Sequence, residues 1–187
     1  MQRSFEKKVF DGVRFRVYQW QQEMYDGSFA TFERVERFAG ASVIVGSSNG
    51  EIMVQRQEQP HWNGFRYSLP GGCVDIGESV EDGVKRELLE ETGYAVESVQ
   101  LWQKHEGTLH VRIPAYHFIG HNAQKIQEPN FGNGEKIENF WMSFDDFVLL
   151  SDEPLFRDVW MRFYLLEMRV HSEKMEEFKK LVFGECG

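Results

Sequence analysis

A mixed α/β domain is what this sequence predicts, and three observations carry the expectation. The first 45 residues read as strands, with a period-two alternation at Val13 to Tyr18. Ser79 to Thr92 carries the start and stop signals of a helix. Near the end, Leu155, Val159, Phe163 and Leu166 recur at helical spacing. At 187 residues the chain fits one domain, residues 1–187, with room for a sizeable core. Within it, residues 1–38 read as an antiparallel β arm and 39–187 as a core ending in a C-terminal helix.

Taken in order, Val13, Phe15 and Val17 alternate with Arg14, Arg16 and Tyr18. Asp26-Gly27 marks a turn, and Phe29 to Arg37 returns as the second strand of the arm. Ala41 to Val45 is a short apolar run of the buried-strand kind. Glu51 to Gln57 is expected to pair with it across the Ser47–Gly50 turn. Pro70-Gly71-Gly72 forces a turn where backbone must sit close to something. Ser79 with Asp82 then opens a helix as an N-cap pair, and Gly93 stops it. Strands are expected near Val99–Lys104 and Leu109–Gly120, and a long polar loop from Gln124 to Asn139. Asn139 to Met142 is a short strand, and a helix starts at Ser143. From about Pro154 to Phe183 the Leu155–Leu166 stripe predicts one amphipathic helix packed on the core.

Bulk composition excludes several classes. Apolar residues make up 41% of the chain, against disorder, and no apolar run reaches membrane-spanning length. The start, MQRSFEKKVF, has no apolar signal-type stretch, and the two cysteines, Cys73 and Cys186, stand far apart. A cytoplasmic protein without disulfides is therefore expected. A net charge of -9 with no basic run argues against a nucleic-acid polymer as partner. It also means that a phosphate-bearing substrate would need a bound cation to attract it.

The helix at Ser79–Thr92 carries the functional signal. At about 100° per residue, Val80, Val84 and Leu88 form its apolar face. Glu87 and Glu91 share that azimuth, and Glu90 flanks them. On its own, an ELLEE string reads as a solvated acidic surface with Lys85 and Arg86 as counter-charges. Turned inward, the same carboxylates repel one another and lose water unless a cation joins them, and hard oxygen donors suit Mg²⁺ or Mn²⁺.

With the preceding turn, the stretch GGCVDIGESVEDGVKRELLEETGY resembles the Nudix signature: Gly72, Glu78, Arg86, Glu87, Leu88, Glu90, Glu91, Gly93 and Tyr94 fill its fixed positions at the right gaps. The resemblance implies an α/β/α sandwich with a mixed sheet, and hydrolysis of a pyrophosphate bond in a small nucleotide. It implies Mg²⁺, or Mn²⁺, held by Glu87, Glu90, Glu91 and a backbone carbonyl at Gly71. Arg86 would hold the carboxylates, with Gly72, Glu78 and Gly93 as supporting positions. The general base is a signature glutamate in some members and a loop acid in the ADP-ribose branch. Here that loop offers Glu128, Glu135 and Glu138, and Glu135 is favoured because Gly132 and Gly134 would let its segment swing.

Two substrates compete. ADP-ribose or a nucleotide sugar is favoured by the aromatic arm (Phe5, Phe10, Phe15, Tyr18, Trp20, Tyr25), which looks like the arm that pairs subunits in ADP-ribose hydrolases and so implies a homodimer. A nucleoside triphosphate, as in the MutT-like branch, is favoured by Val54-Gln55-Arg56 and Tyr67 to Gly72, with Arg56 meeting a phosphate. His110 stands where the ADP-ribose branch usually has a proline, the nearest here being Pro114. A non-catalytic nucleotide-sensing module is the third reading, and the intact signature counts against it. Trp62 and Trp141 are candidates to stack a base, and the scattered His105, His110, His117 and His121 lack the tight spacing of a zinc site.

Overall fold

The computed structural model describes residues 6–131 and 134–184. Phe5, Gly132 and Cys186, named above, lie outside the described residues. The arm is β1 (Lys7–Asp11), β2 (Phe15–Glu23) and β3 (Phe29–Arg37). The core begins with β4 (Gly40–Val45), β5 (Glu51–Glu58), β6 (Arg66–Ser68) and β7 (Gly71–Cys73), followed by helix α1 (Val80–Thr92). Then come β8 (Tyr94–Ala95), β9 (Ser98–His105), β10 (Val111–Arg112), β11 (Ala115–His121), β12 (Gln124–Lys125) and β13 (Lys136–Ser143). Helix α2 (Phe144–Leu149), one 3₁₀ turn, α3 (Val159–Val170) and α4 (Ser172–Phe183) complete it.

A mixed sheet in the order β7-β4-β11-β9 lies beside an antiparallel sheet β13-β5-β6. Strand alternation splits their side chains between two cores. Val43, Val45, Met53 and Phe118 face α1 and pack with Val84 and Leu88. Their neighbours Ile44, Ile52, Val54 and Ile119 face the other way, onto α2, α3 and α4 through Phe147, Met161, Leu165 and Phe178. Helices on both faces of strands buried on both sides make the expected α/β/α sandwich. The arm forms its own sheet, β1-β2-β3-β10, with β10 joining β3 in parallel.

Three expectations are corrected. The proposed pairing of Ala41–Val45 with Glu51–Gln57 shrinks to one bridge, Gly46 with Ile52. Beyond it β5 pairs with β13 and β6, while β4 pairs with β11 and β7. A local turn suggested a hairpin, but both strands find longer partners far along the chain. The Leu109–Gly120 strand is broken at Pro114, which has no N–H; its carbonyl accepts from Gly40 at 2.9 Å. Finally, the single C-terminal helix is two, interrupted at His171, whose backbone is extended at φ -121° and ψ 92°. The expected inward stripe is also displaced: Met161, Leu165 and Met168 are the buried residues of α3, whereas Val159 and Phe163 are 59% and 58% exposed.

Candidate functional site

Helix α1 starts where expected, with Ser79 Oγ accepting from the Asp82 N–H at 3.0 Å, and ends at Gly93, whose N–H donates to Leu89 O. Val84 and Leu88 seat it on the sheet, and Glu91 is buried with them. Glu91 is 7% exposed, and Glu87 and Glu90 follow at increasing exposure up the rim. The glycine pair lies beneath them. A Cβ on Gly72 would come within 2.6 Å of the Glu87 carboxyl carbon, and one on Gly71 within 2.1 Å of Ala41 O, at φ +141°. Only glycine lets the β7 backbone pass between the helix carboxylates and β4.

Arg86 organises the rim. Its Nε and Nη2 donate to the two carboxylate oxygens of Glu78 at 3.0 and 3.1 Å, and Nη1 donates to Glu87 at 3.0 Å and Glu90 at 3.2 Å. The hydrogen-bonded Arg86 guanidinium holds the Glu78 carboxyl below its ordinary range. The structure thus brings Glu78, Arg86, Glu87 and Glu90 together, with Gly72 against Glu87. Burial pushes Glu87 up in spite of Arg86, with Glu90 and Glu135 adding to the rise. Burial pushes Glu91 up to about 8, although Gly71 N–H and Gln55 Nε2 both donate to it, at 2.9 and 3.0 Å.

Of the three acids expected on the loop, Glu138 lies instead in β13, and Glu135 is the one whose charge reaches Glu87 and Glu91. Gln59 Nε2 donates to its Oε1 at 3.0 Å. Glu128 is instead paired with Lys125 at 2.8 Å, and Glu138 with Arg56 at 3.7 Å. Gly134, beside Glu135, has φ +93°. Arg56 is not brought to the carboxylates. Strand alternation puts it on the face of β5 opposite Gln55, with its guanidinium 4.1 Å from the centre of the Phe65 ring. Trp141 packs edge-on against Tyr94 in the α1-side core.

Sequence reasoning missed the strand beneath the site. Gln55 and Gln57 stand at alternate positions on one face of β5, Gln59 follows just past its end, and each amide holds a charged group: Glu91, Arg157 and Glu135 respectively. Gln57 Nε2 also donates to Gln55 Oε1 at 2.9 Å and Ser68 Oγ at 2.7 Å. Gln55 Nε2 donates to Asn139 Oδ1 at 3.1 Å, and Asn139 Nδ2 to the Glu91 carbonyl at 2.7 Å. Gln55 and Gln57 are fully buried, so a complete set of hydrogen bonds is what makes them tolerable there. A Gln-x-Gln-x-Gln run directly after the apolar Ile52–Val54 stretch was the available signal.

The donor set suits a divalent cation. Hard carboxylate oxygens are gathered on one turn of helix, and burial leaves two of them short of positive charge. Among the described residues no three acidic, His or Cys side chains already converge as a cage. Arg86, Gly71 and Gln55 occupy the carboxylate oxygens instead.

Known proteins bear on this geometry. The NUDIX domain profile matches residues 36–163. A putative 8-oxo-dGTP diphosphatase of Bacillus subtilis is 50% identical over 56 residues, 29% of this chain and 34% of that protein. An uncharacterized Nudix hydrolase of Schizosaccharomyces pombe is 28% identical over 143 residues, 73% of this chain and 69% of that one. The ADP-ribose pyrophosphatase of Saccharomyces cerevisiae is 42% identical over 45 residues, covering 24% and 20% of the two chains. The chain thus spans about a third of the Bacillus relative's length and less of the Saccharomyces one. The crystal structure of an ADP compounds hydrolase shares the fold at a TM-score of 0.71, with 15% identity, over 90% of this chain and 92% of that one. The profile covers well over half of the residues, and the signature glutamates stand together on α1: this chain belongs to the Nudix family.

Proposed function

We propose that this protein is a metal-dependent pyrophosphatase acting on a nucleoside diphosphate-linked compound, with ADP-ribose or a nucleotide sugar preferred. One observation carries the reading: Glu91 is buried and Glu87 half-buried on the inner face of α1, and the charge of Glu135 acts on both. Such a site gains by taking up a cation. Glu87, Glu90 and Glu91, with the Gly71 carbonyl, would hold Mg²⁺ or Mn²⁺, which supplies charge neutralisation for the diphosphate and an acidified water. Arg86 keeps the carboxylates facing the diphosphate; Glu78 anchors Arg86. Glu135 accepts the water's proton, and Gln59 orients it.

The arm supports the larger substrates. Between β2, β3 and the 106–110 loop leading into β10 lies a cavity of about 690 Å³ walled by Trp20, Phe32, Arg34 and His110, wide enough for a planar ring. On the other face, Phe10, Val17, Val35 and Val111 align across all four arm strands, with Phe10 56% and Val111 42% exposed. That row suits the two-fold pairing of a homodimer. A (d)NTP is the second reading, favoured by likeness over 56 residues to the putative 8-oxo-dGTP diphosphatase of Bacillus subtilis.

The test is hydrolysis of ADP-ribose, nucleotide sugars, dinucleoside polyphosphates and dNTPs, with Mg²⁺ and with chelator. Metal-dependent cleavage of the first two groups is expected; chelator-insensitive hydrolysis would sink the mechanism. Binding without hydrolysis across the whole panel would instead indicate a nucleotide sensor. Glu135→Gln should lower kcat strongly with little change in KM, and a near-wild-type rate would move the base elsewhere.

A further inference from the structure

The carboxylates leave this site strongly negative, yet its expected ligand is an anion. Arg86 cannot welcome that ligand: four carboxylates lie within 4 Å of it, those of Asp75, Glu78, Glu87 and Glu90. The glutamine ladder of β5 presents a second cation. Arg157 Nη1 donates to Gln57 Oε1 at 3.2 Å, on the strand face where Gln55 holds Glu91 and just before Gln59, which holds Glu135.

Its surroundings differ from those of Arg86. Among the described residues no carboxylate lies within ion-pairing distance of Arg157. Its neighbour Asp158 is engaged with His117 Nε2 at 2.9 Å and the Met161 N–H at 2.9 Å. Arg157 is exposed as a residue, and its guanidinium lies 5.3 Å from the centre of the Trp62 ring. Its backbone is fixed, because the Arg157 N–H donates to Tyr67 O at 3.0 Å and the preceding Phe156 is buried at 1% exposure. A neutral amide is the right holder for such a group. Gln57 orients the guanidinium by one hydrogen bond, whereas a carboxylate there would cancel its charge. Among the described residues one of its five N–H donors is used, and a guanidinium fork matches phosphate oxygens.

We propose that Arg157 binds phosphoryl oxygens of the substrate, opposite the α1 carboxylates, with Gln57 and Trp62 holding it in place. The inference rests on the pyrophosphatase reading, and it adds the residue that takes the anion's outer oxygens. Arg56, on the opposite face of the same strand, serves as the control cation.

The experiment combines steady-state kinetics on the best substrate of the panel with equilibrium binding of ADP in the presence of Mg²⁺. For Arg157→Ala, KM and the ADP Kd should both rise about 10–100-fold, with kcat within about threefold, as expected for a lost charge-assisted contact. Added guanidinium ion should lower KM for Arg157→Ala and leave the wild type unchanged. Arg157→Lys, which keeps the charge and the aliphatic stem over Trp62, should fall between the two. Arg56→Ala should stay within about twofold of wild type. An unchanged KM and Kd in Arg157→Ala, or a fall in kcat alone, would overturn the assignment. Absence of any hydrolysis by the wild type would defeat the pyrophosphatase reading instead, and the ADP titration would still decide the role of Arg157.

Discussion

Helices α1 and α3 look alike on paper and behave in opposite ways. Both show apolar residues at helical spacing, and in both that stripe predicts the face toward the core. In α1 the prediction holds: Val84 and Leu88 are fully buried, and Glu91 goes in with them. In α3 the stripe of Val159, Phe163 and Leu166 faces outward, and Met161, Leu165 and Met168 go inward. The reason is in the composition. Helix α1, VEDGVKRELLEET, has one apolar face and no competitor. Helix α3, VWMRFYLLEMRV, is apolar nearly all round, so periodicity offers two faces and tertiary packing chooses. An inward acid on a helix with one apolar face is therefore a strong statement, and an inward apolar stripe on a mostly apolar helix is a weak one.

Glu91 tests the α1 side with the largest expected effect. Glu91→Gln removes a hard oxygen donor and a charge from the site. Turnover with Mg²⁺ should fall by at least about 10²–10³-fold, the scale of losing a preorganised charge-stabilising group. Thermal stability in chelator should stay level or rise, because a buried carboxylate is gone. Loss of activity accompanied by a lower Tm would mean that Glu91 serves the fold and not the reaction.

On α3, Leu165→Ala should cost about 2–5 kcal/mol in denaturant unfolding, the range for truncating a fully buried leucine. A cost below about 1 kcal/mol would put the inward face of α3 elsewhere.

A pH titration of stability sharpens the electrostatic half of the contrast. The Glu91 carboxyl is raised to about 8 in the fold from an ordinary value near 4.5. A raised group favours folding when protonated, so its contribution is fully present below pH 4.5 and is lost as pH climbs through 8. In chelator, wild-type stability should drop relative to Glu91→Gln across that window, by on the order of 1–3 kcal/mol once the site relaxes. Glu78, held low by Arg86, contributes with the opposite sign and below its ordinary value, outside this window. Saturating Mg²⁺ should flatten the difference by keeping Glu91 ionised at no cost to the fold. A slope of equal size with and without Mg²⁺ would show that the cation does not sit against Glu91.

The same contrast explains what could be read in advance. The fold class, the arm and the limits of α1 follow from local patterning: alternation in β2 and β3, Ser79 at one end of α1 and Gly93 at the other. The acids were legible because a carboxylate pointing at valines is physically conspicuous. The glutamine ladder was not, since Gln55 and Gln57 are neutral and their importance depends on Arg157, a hundred positions away from Gln57. Strand partners escaped for a related reason: a nearby turn suggested joining β4 to β5, while the long ladders to β11 and β13 are non-local. Arg56 was singled out for its charge, but charge does not reveal the face, and one residue along a strand reverses it.

The smallest effect belongs to the outward stripe. Phe163 is 58% exposed, beside Val159 at 59% and Val170 at 77%. If solvent covers that face, Phe163→Ser removes little packing and should change unfolding free energy by no more than about 0.5 kcal/mol. Helix propensity adds almost nothing, since Ser and Phe rank close together. Denaturant unfolding of Phe163→Ser beside Leu165→Ala, two residues apart on one helix, separates the faces without any assumption about absolute stability. A loss above about 1.5 kcal/mol in the serine variant, growing with protein concentration, would show instead that the stripe is covered by another chain, and would restore inward burial to the face that periodicity first selected.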